Sequence, residues 1–381
     1  MTQDITLADF IVIGGGIAGA SAGYFLSELG RVVLLERENQ PGYHSTGRSA
    51  AVFSATYQHG DRVLRALVLG SADFLENPPA GFAQHDLLSP RQMMYICDRA
   101  DFTALEDMYD TLARVTEDIT WLAADEIAKL LPALAPPFQE KALLERHVKD
   151  IDVHGLHEGF LRGLRARGGQ VQLEAPAQDI TFTKGHWQVH TPAGTYRAPI
   201  VVNAAGAWVD KIAARAGVRP IGIRPLRRTA ILVDPPKGQN VAAWPFVTEV
   251  HQKFYFKPDA GRLLVSPMDQ TLSDPCDAQP EELDVAYAAH YIEQALNTPV
   301  RRIHHRWAGL RNHVADHRPV VGFAPEAPGF FWLAGQGGFG IKTAVALGRI
   351  TASLINRTGL PEDLVARGLM ERDISPLRLF G

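Results

Sequence analysis

Residues 8–13 of the chain, ADFIVI, are mostly apolar and do not alternate with polar positions. A half-exposed strand alternates, so this run predicts a short strand buried on both faces, as in a parallel sheet. The stretch IAGASAGYFLSEL, Ile17 to Leu29, predicts a helix with Gly30 available to end it. RVVLLE, Arg31 to Glu36, predicts a second buried strand. Much later, FYFKPDAGRLLVSP predicts two strands joined by a turn around Pro258–Gly261. EELDVAYAAHYIEQAL and IKTAVALGRITASLIN both have helical apolar spacing. The pattern is that of an α/β protein.

The stretch FIVIGGGIAGASAGYFL is apolar enough to suggest a membrane span, but Gly14, Gly15, Gly16, Gly19 and Gly23 interrupt it. A span needs about 20 predominantly apolar residues. At 381 residues the chain exceeds one comfortable core and predicts two domains. A net charge of −4 gives no electrostatic reason to expect nucleic acid. Cys97 and Cys276 make no disulfide framework and show no metal-ligand spacing, so no metal is expected. The first ten residues lack the basic start and apolar core of a signal peptide. These features predict a reducing, cytoplasmic setting.

Gly14, Gly16 and Gly19 form a G-x-G-x-x-G pattern between the first strand and the first helix. That context gives the motif its meaning. Gly14 permits the tight turn, Gly16 lets a pyrophosphate approach the backbone, and Gly19 lets helix and strand pack closely. The exposed amides and positive end of the helix favour phosphate. Glu36, 22 residues beyond Gly14, can accept hydrogen bonds from a ribose diol and repels a 2′-phosphate. The motif alone serves NAD and FAD alike.

The next stretch, GYHSTGRSAAVF from Gly42 to Phe53, separates them. Pro41, Gly42 and Gly47 mark an irregular loop where a nicotinamide enzyme would usually continue into another helix–strand unit. Such a loop can run along a long cofactor, with Ala50, Ala51 and Val52 then beginning a helix against the flat ring. Taken alone, Ser45, Thr46 and Ser49 could equally serve only turn and cap hydrogen bonds. PGYHSTGRSAA resembles the FAD-dependent D-amino acid oxidase and dehydrogenase superfamily, in particular its D-arginine dehydrogenase type. KDIDVHGL (Lys149 to Leu156), IVVNAAGAWVD (Ile200 to Asp210), WAGLRNHVADHRPVVG and FFWLAGQGGFGIKTAVALG match the same family in order along the chain.

The resemblance implies a Rossmann-like, glutathione reductase-type FAD domain from residues 1–82, 147–218 and 308–381. It implies a second, α+β substrate domain with a mixed or antiparallel sheet from residues 83–146 and 219–307. It implies noncovalent FAD, because neither cysteine falls at a flavin-attachment position. Cofactor contacts are expected from Gly14, Gly16, Ile17, Ala18, Gly19, Glu36, Arg37, His44, Ser45, Thr46, Arg48, Ser49, Ala50, Ala205, Gly206, Trp208 and Gly309. The turn GQGGFG and the helix start after it add Gly335, Gly337, Gly338, Phe339, Gly340, Ile341 and Lys342, where a helix end can stabilise charge arriving on the flavin.

An amino acid substrate needs a cation for its carboxylate, and arginine offers a planar two-pronged match. Arg228 and Arg311 lie where relatives place such arginines, with Arg227 the alternative by one residue of register. Tyr255 and Tyr57 match tyrosines at the substrate site. One position departs: arginine-specific relatives carry a glutamate where LLSPRQMMY has Met93, and a histidine where this chain has Val52. Nearby Asp86 or Gln92 are the candidate substitutes. The expectation is therefore FAD-dependent oxidation of D-amino acids with uncharged or apolar side chains. Alternatives are a D-arginine or D-lysine dehydrogenase, a secondary-amine or 2-hydroxy acid oxidoreductase, or a flavin-binding protein without turnover. The electron acceptor, oxygen, quinone or another, is left open, and a quinone would put the chain at a membrane surface.

Overall fold

The computed structural model describes residues 5–56 and 60–380. The predicted buried strands pair in parallel: Phe10–Ile13 lies between Val32–Leu35 and Ile200–Asn203. Phe330–Ala334 follows, and Val320–Phe323 closes that side antiparallel. Gln170–Gln172 forms the other edge of this six-stranded sheet. Its inner strands are buried along nearly their whole length, the state their unalternated apolar sequences predict.

One face of the sheet packs on helices Ile17–Leu26, Arg62–Glu76, Val153–Ala166 and Gly340–Ile355. The other face meets a four-stranded sheet built from Ile5–Leu7, Asp179–Thr183, His186–Thr191 and Gly194–Ala198. The result is a helix, parallel-sheet, mixed-sheet stack. The first helix ends at Leu26, three residues short of the expected span, in a turn that Gly30 closes by donating to Leu26 O.

A nine-stranded sheet forms the second body of the fold. Its spine is a long antiparallel pair, Arg224–Val233 with Ile303–His313. The predicted hairpin is present as Tyr255–Asp259 and Arg262–Ser266, with Ala260–Gly261 at the turn. Phe246–Glu249, Met93–Ile96, Lys141–Glu145 and Ile119–Ala123 complete the far side. Strand alternation sorts its residues. Met94, Ile96, Val247, Phe256 and Ile231 join an apolar core with the helix Glu282–Leu296, while Met93, Tyr95, Phe246, Tyr255 and Ala230 face a cavity.

The expectation that Ala50–Val52 begins a helix is not met. Val52–Phe53 is a strand, paired antiparallel with Lys149–Ile151, which also pairs Leu88–Pro90. Val and Phe favour the pleated state where a partner is present, and the next long helix waits for a true cap, Asp61, which accepts from Val63 N and Leu64 N. Among the described residues, no helix is long and apolar enough to cross a membrane.

Candidate active site

The strands Phe10–Ile13, Val32–Leu35 and Ile200–Asn203 all end at one cavity of about 420 Å3, bounded on its opposite side by the nine-stranded sheet. Crevices outside the carboxyl ends of parallel strands are the usual ligand position in such sheets. The turn after the first strand is shaped for close approach. Gly14 has φ +109°, and a Cβ there would lie 2.5 Å from the Ala204 carbonyl oxygen. A Cβ on Gly19 would fall 1.8 Å from Gly14 O, so only glycine lets the helix press onto the turn. Gly19 serves that packing and is not itself in the wall.

Glu36 is buried. Its Oε2 accepts from Gly15 N at 2.8 Å and its Oε1 from Glu38 N at 2.9 Å. Burial pushes its carboxyl above the usual range, and each oxygen keeps a lone pair for a hydroxyl. Beside it, Arg37 lies 4.8 Å over the Trp208 ring, and the His44 ring packs 4.7 Å from the same indole. His44 Nε2 also bonds Glu38 Oε1 at 2.9 Å. Ala175, Pro176, Ala177, Lys211 and Arg215 join this wall. Sequence reasoning missed them; only the basic pair one turn apart, Lys211 and Arg215, offered a signal.

The loop at 42–49 does two jobs. Thr46 Oγ1 accepts from Ile17 N at 3.0 Å, capping the first helix from outside. Ser45 donates to Leu310 O at 2.7 Å, and Arg48 donates to Ala278 O and Ala308 O and pairs with Asp277 at 2.5 Å. These two side chains thus pin the loop to the strand Ile303–His313. Ser49 and Ala50 line the cavity, as do Ala205, Gly206 and Gly309.

At the C-terminal turn, Gly337, Gly338, Phe339, Gly340, Ile341 and Lys342 all line the cavity, whereas Gly335 lies behind it near Arg318 and Val320. Gly337 N donates to Asn312 O at 2.9 Å, and a Cβ on Gly337 would meet the His313 ring at 2.3 Å. Burial, with help from His317 and nearby arginines, pushes His313 down to about 4, so this ring is neutral. Its Nδ1 lies 3.1 Å from Nδ1 of His317. Lys342 is buried at the helix start. Burial pushes its ammonium down to about 7, with Glu145 acting against that and Arg311 adding to it.

At the other end of the cavity, Arg228 and Arg311 come from the paired long strands, where Arg228 faces Gly309 and Leu226 faces Arg311. Arg228 is buried and its Nε donates to Asp269 O at 2.8 Å. Arg311 opens onto the cavity, and among the described residues no acid pairs with it. The alternative Arg227 points to the opposite face, where it pairs with Glu281 at 2.5 Å. Tyr255 stacks on Phe246 at 5.0 Å, and Met93 packs with Val52, Phe246 and Tyr255. Asp86 and Gln92 are outside the lining, so neither replaces the missing glutamate. Tyr57 lies outside the described residues. Thr56, Tyr95, Thr248, Glu249, Gln252, Met268 and Trp307, unforeseen from sequence, also line the cavity.

The residues present fit FAD. The volume is that of a ligand pocket, and a helix start without acidic first-turn residues points at it. His44, Asn312 and Gln336 line the cavity, and their Nδ1, Oδ1 and Nε2 atoms are buried with no partner among the described residues. Buried polar atoms rarely stay unsatisfied, and a polar ligand would satisfy them.

Stack, crevice and glycine turn define a dinucleotide-binding protein. The chain belongs to the FAD dependent oxidoreductase family DAO, whose model matches residues 9–354, and FAD is its cofactor. Glycine oxidase of Bacillus licheniformis is 25% identical, over 91% of this chain and 92% of that one. Two solved structures share the fold. L-proline dehydrogenase from P. horikoshii has a TM-score of 0.80 and 20% identity, covering 99% of both chains. Iminodiacetate oxidase from Chelativorans sp. BNC1 has a TM-score of 0.79 and 21% identity, covering 96% of this chain and 98% of that one.

Proposed function

We propose that the chain oxidises D-amino acids with uncharged or apolar side chains to 2-imino acids, which hydrolyse to 2-oxo acids and ammonia. The observation that carries this reading is Arg311, a guanidinium open to the cavity with no acidic partner among the described residues, beside Arg228 and an apolar wall. An unbalanced cation in a partly dry pocket favours an anionic ligand, and a carboxylate matches a guanidinium in two hydrogen bonds. Met93, Phe246, Tyr255 and Val52 then surround the side chain with apolar area, which suits leucine- or phenylalanine-like groups.

Bound FAD supplies the acceptor for the hydride leaving the α-carbon. The chain's residues hold the substrate and the charge. Arg228 and Arg311 fix the carboxylate, which orients the α-carbon. The helix Gly340–Ile355, with no acid in its first turn, stabilises negative charge arriving at its start. The cofactor roles proposed for the residues around Glu36, the 42–50 loop and the 337–342 turn rest on their common lining of one cavity. The proposed two-domain division is supported by the strands: those of the six- and four-stranded sheets come from 1–82, 147–218 and 308–381. Its last boundary crosses the strand Ile303–His313.

A small glycine-like or secondary amine is the second reading, favoured by the names of glycine oxidase and iminodiacetate oxidase among the similar proteins. Anaerobic mixing with D-leucine, D-phenylalanine, D-arginine, their L-forms, sarcosine and 2-hydroxy acids separates the readings. D-leucine and D-phenylalanine are expected to bleach the flavin fastest. Faster bleaching by sarcosine establishes the second reading, and faster bleaching by D-arginine restores the cationic preference.

A further inference from the structure

A buried acid sits just behind the cavity wall. Glu145 ends the strand Lys141–Glu145 and lies directly opposite Met93 in the antiparallel pair. Directly opposed residues present their side chains on one face of a sheet, so the carboxylate absent at position 93 has a neighbour one strand away. Glu145 is 4% exposed. It accepts from Thr56 Oγ1 at 2.6 Å, from Ser54 Oγ at 3.0 and 3.1 Å, and from Tyr95 OH at 3.5 Å. Thr56 and Tyr95 belong to the cavity wall. The shortest of these bonds therefore joins the cavity surface to a carboxylate with almost no access to water. A neutral glutamine could tie the 54–56 segment to the sheet without the cost of enclosing an ionisable acid.

We propose that Glu145 receives the proton lost by the substrate's ammonium group, with the Thr56 hydroxyl as the relay. The proposal rests on the reading of the chain as an amino acid oxidising enzyme. In the step, an N–H bond of the ammonium breaks and that proton goes to Thr56 Oγ1. The hydroxyl's own proton passes to Glu145 Oε2. No electrons leave the substrate, and the nitrogen is left with the lone pair that carbon–nitrogen oxidation requires. The charged and titratable groups facing Glu145 are Lys342 from the C-terminal helix, Tyr95 from the adjoining strand and Asp118 from the turn before Ile119–Ala123; Arg311 acts on Lys342. Burial and Asp118 push the Glu145 carboxyl up, while the hydroxyl bonds and Lys342 pull against that, with burial the larger. The acid is thus a better proton acceptor than an exposed carboxylate.

Two measurements on the FAD-loaded protein test this. The first is the infrared difference spectrum on binding 2-methylalanine, which has an ammonium group but no α-hydrogen to lose. The carbonyl stretch of a protonated carboxylic acid is expected to appear in the wild type and to be missing in Glu145→Gln. The second is the pH dependence of flavin reduction by an oxidisable amino acid. Glu145→Gln and Thr56→Val are expected to lose about 10²-fold at pH 7 and to recover as the pH approaches the substrate amine's own pKa. Thr56→Ser, which keeps the hydroxyl, is expected to keep the wild-type acid limb. If Glu145→Gln does not fold, Thr56→Val carries the test. Unchanged acid limbs in both variants, or no carboxylic acid band in the wild type, overturn the proton route while leaving amino acid oxidation standing. A wild type that no amino acid reduces at any pH overturns both.

Discussion

Arg227 and Arg311 show how little of a side chain's role resides in its type. Arg227 lies on the outer face of its strand and is neutralised by Glu281 and Asp284. Arg311 lies on the cavity side with no acid beside it among the described residues. Arg311→Met is expected to weaken capture of a carboxylate substrate by about 2–5 kcal/mol, roughly 30- to several-thousand-fold in KM, at unchanged flavin content. Stopped-flow reduction and the flavin-to-protein absorbance ratio check the two halves. That Arg228 and Arg311 border the cavity was legible only through the family resemblance of the runs that hold them, since an arginine taken alone is usually a surface residue. Glu145 was not legible. Its relation to Met93 is a cross-strand register between positions 52 residues apart, while the search from sequence looked to near neighbours, Asp86 and Gln92.

At the scale of elements, the glycine turn was legible because every interaction that explains it is local. Strand, turn and helix follow one another, and the turn's demand for glycine is steric. Gly14→Ala is expected to yield a chain that purifies with little or no flavin, since the new methyl would press on the Ala204 backbone and positive φ disfavours alanine. The 450-nm region of the spectrum and released FAD measure it; a fully yellow variant would mean the turn can shift without cost. The segment at 50–53 was illegible for the complementary reason. Its sequence suits a helix or a strand, and the choice is made by Lys149–Ile151, about 100 residues away. Tertiary pairing overrides local preference there.

Across the whole molecule, the cofactor cavity is the seam between the parallel sheet and the nine-stranded sheet. A ligand in that seam binds the folded chain alone and stabilises it by mass action. Stripping FAD is expected to lower the melting temperature by several degrees. Readdition at about 100 times its Kd should restore about 2.7 kcal/mol, or ~3.5 °C at roughly 1.3 °C per kcal/mol for a chain of this size. Scanning fluorimetry across an FAD titration gives the shift, and a flat response would place the cofactor's binding energy outside the fold's stability. The sheet order also sets a timetable for synthesis. Phe10–Ile13 has Val32–Leu35 on one side, but its other neighbour, Ile200–Asn203, leaves the ribosome on the order of 10–40 s later. Through that interval a fully apolar strand keeps a bare edge, the kind that pairs with a neighbouring nascent chain. The flavin cannot close that interval, because the turn at 335–342 and the strand before it are made later still.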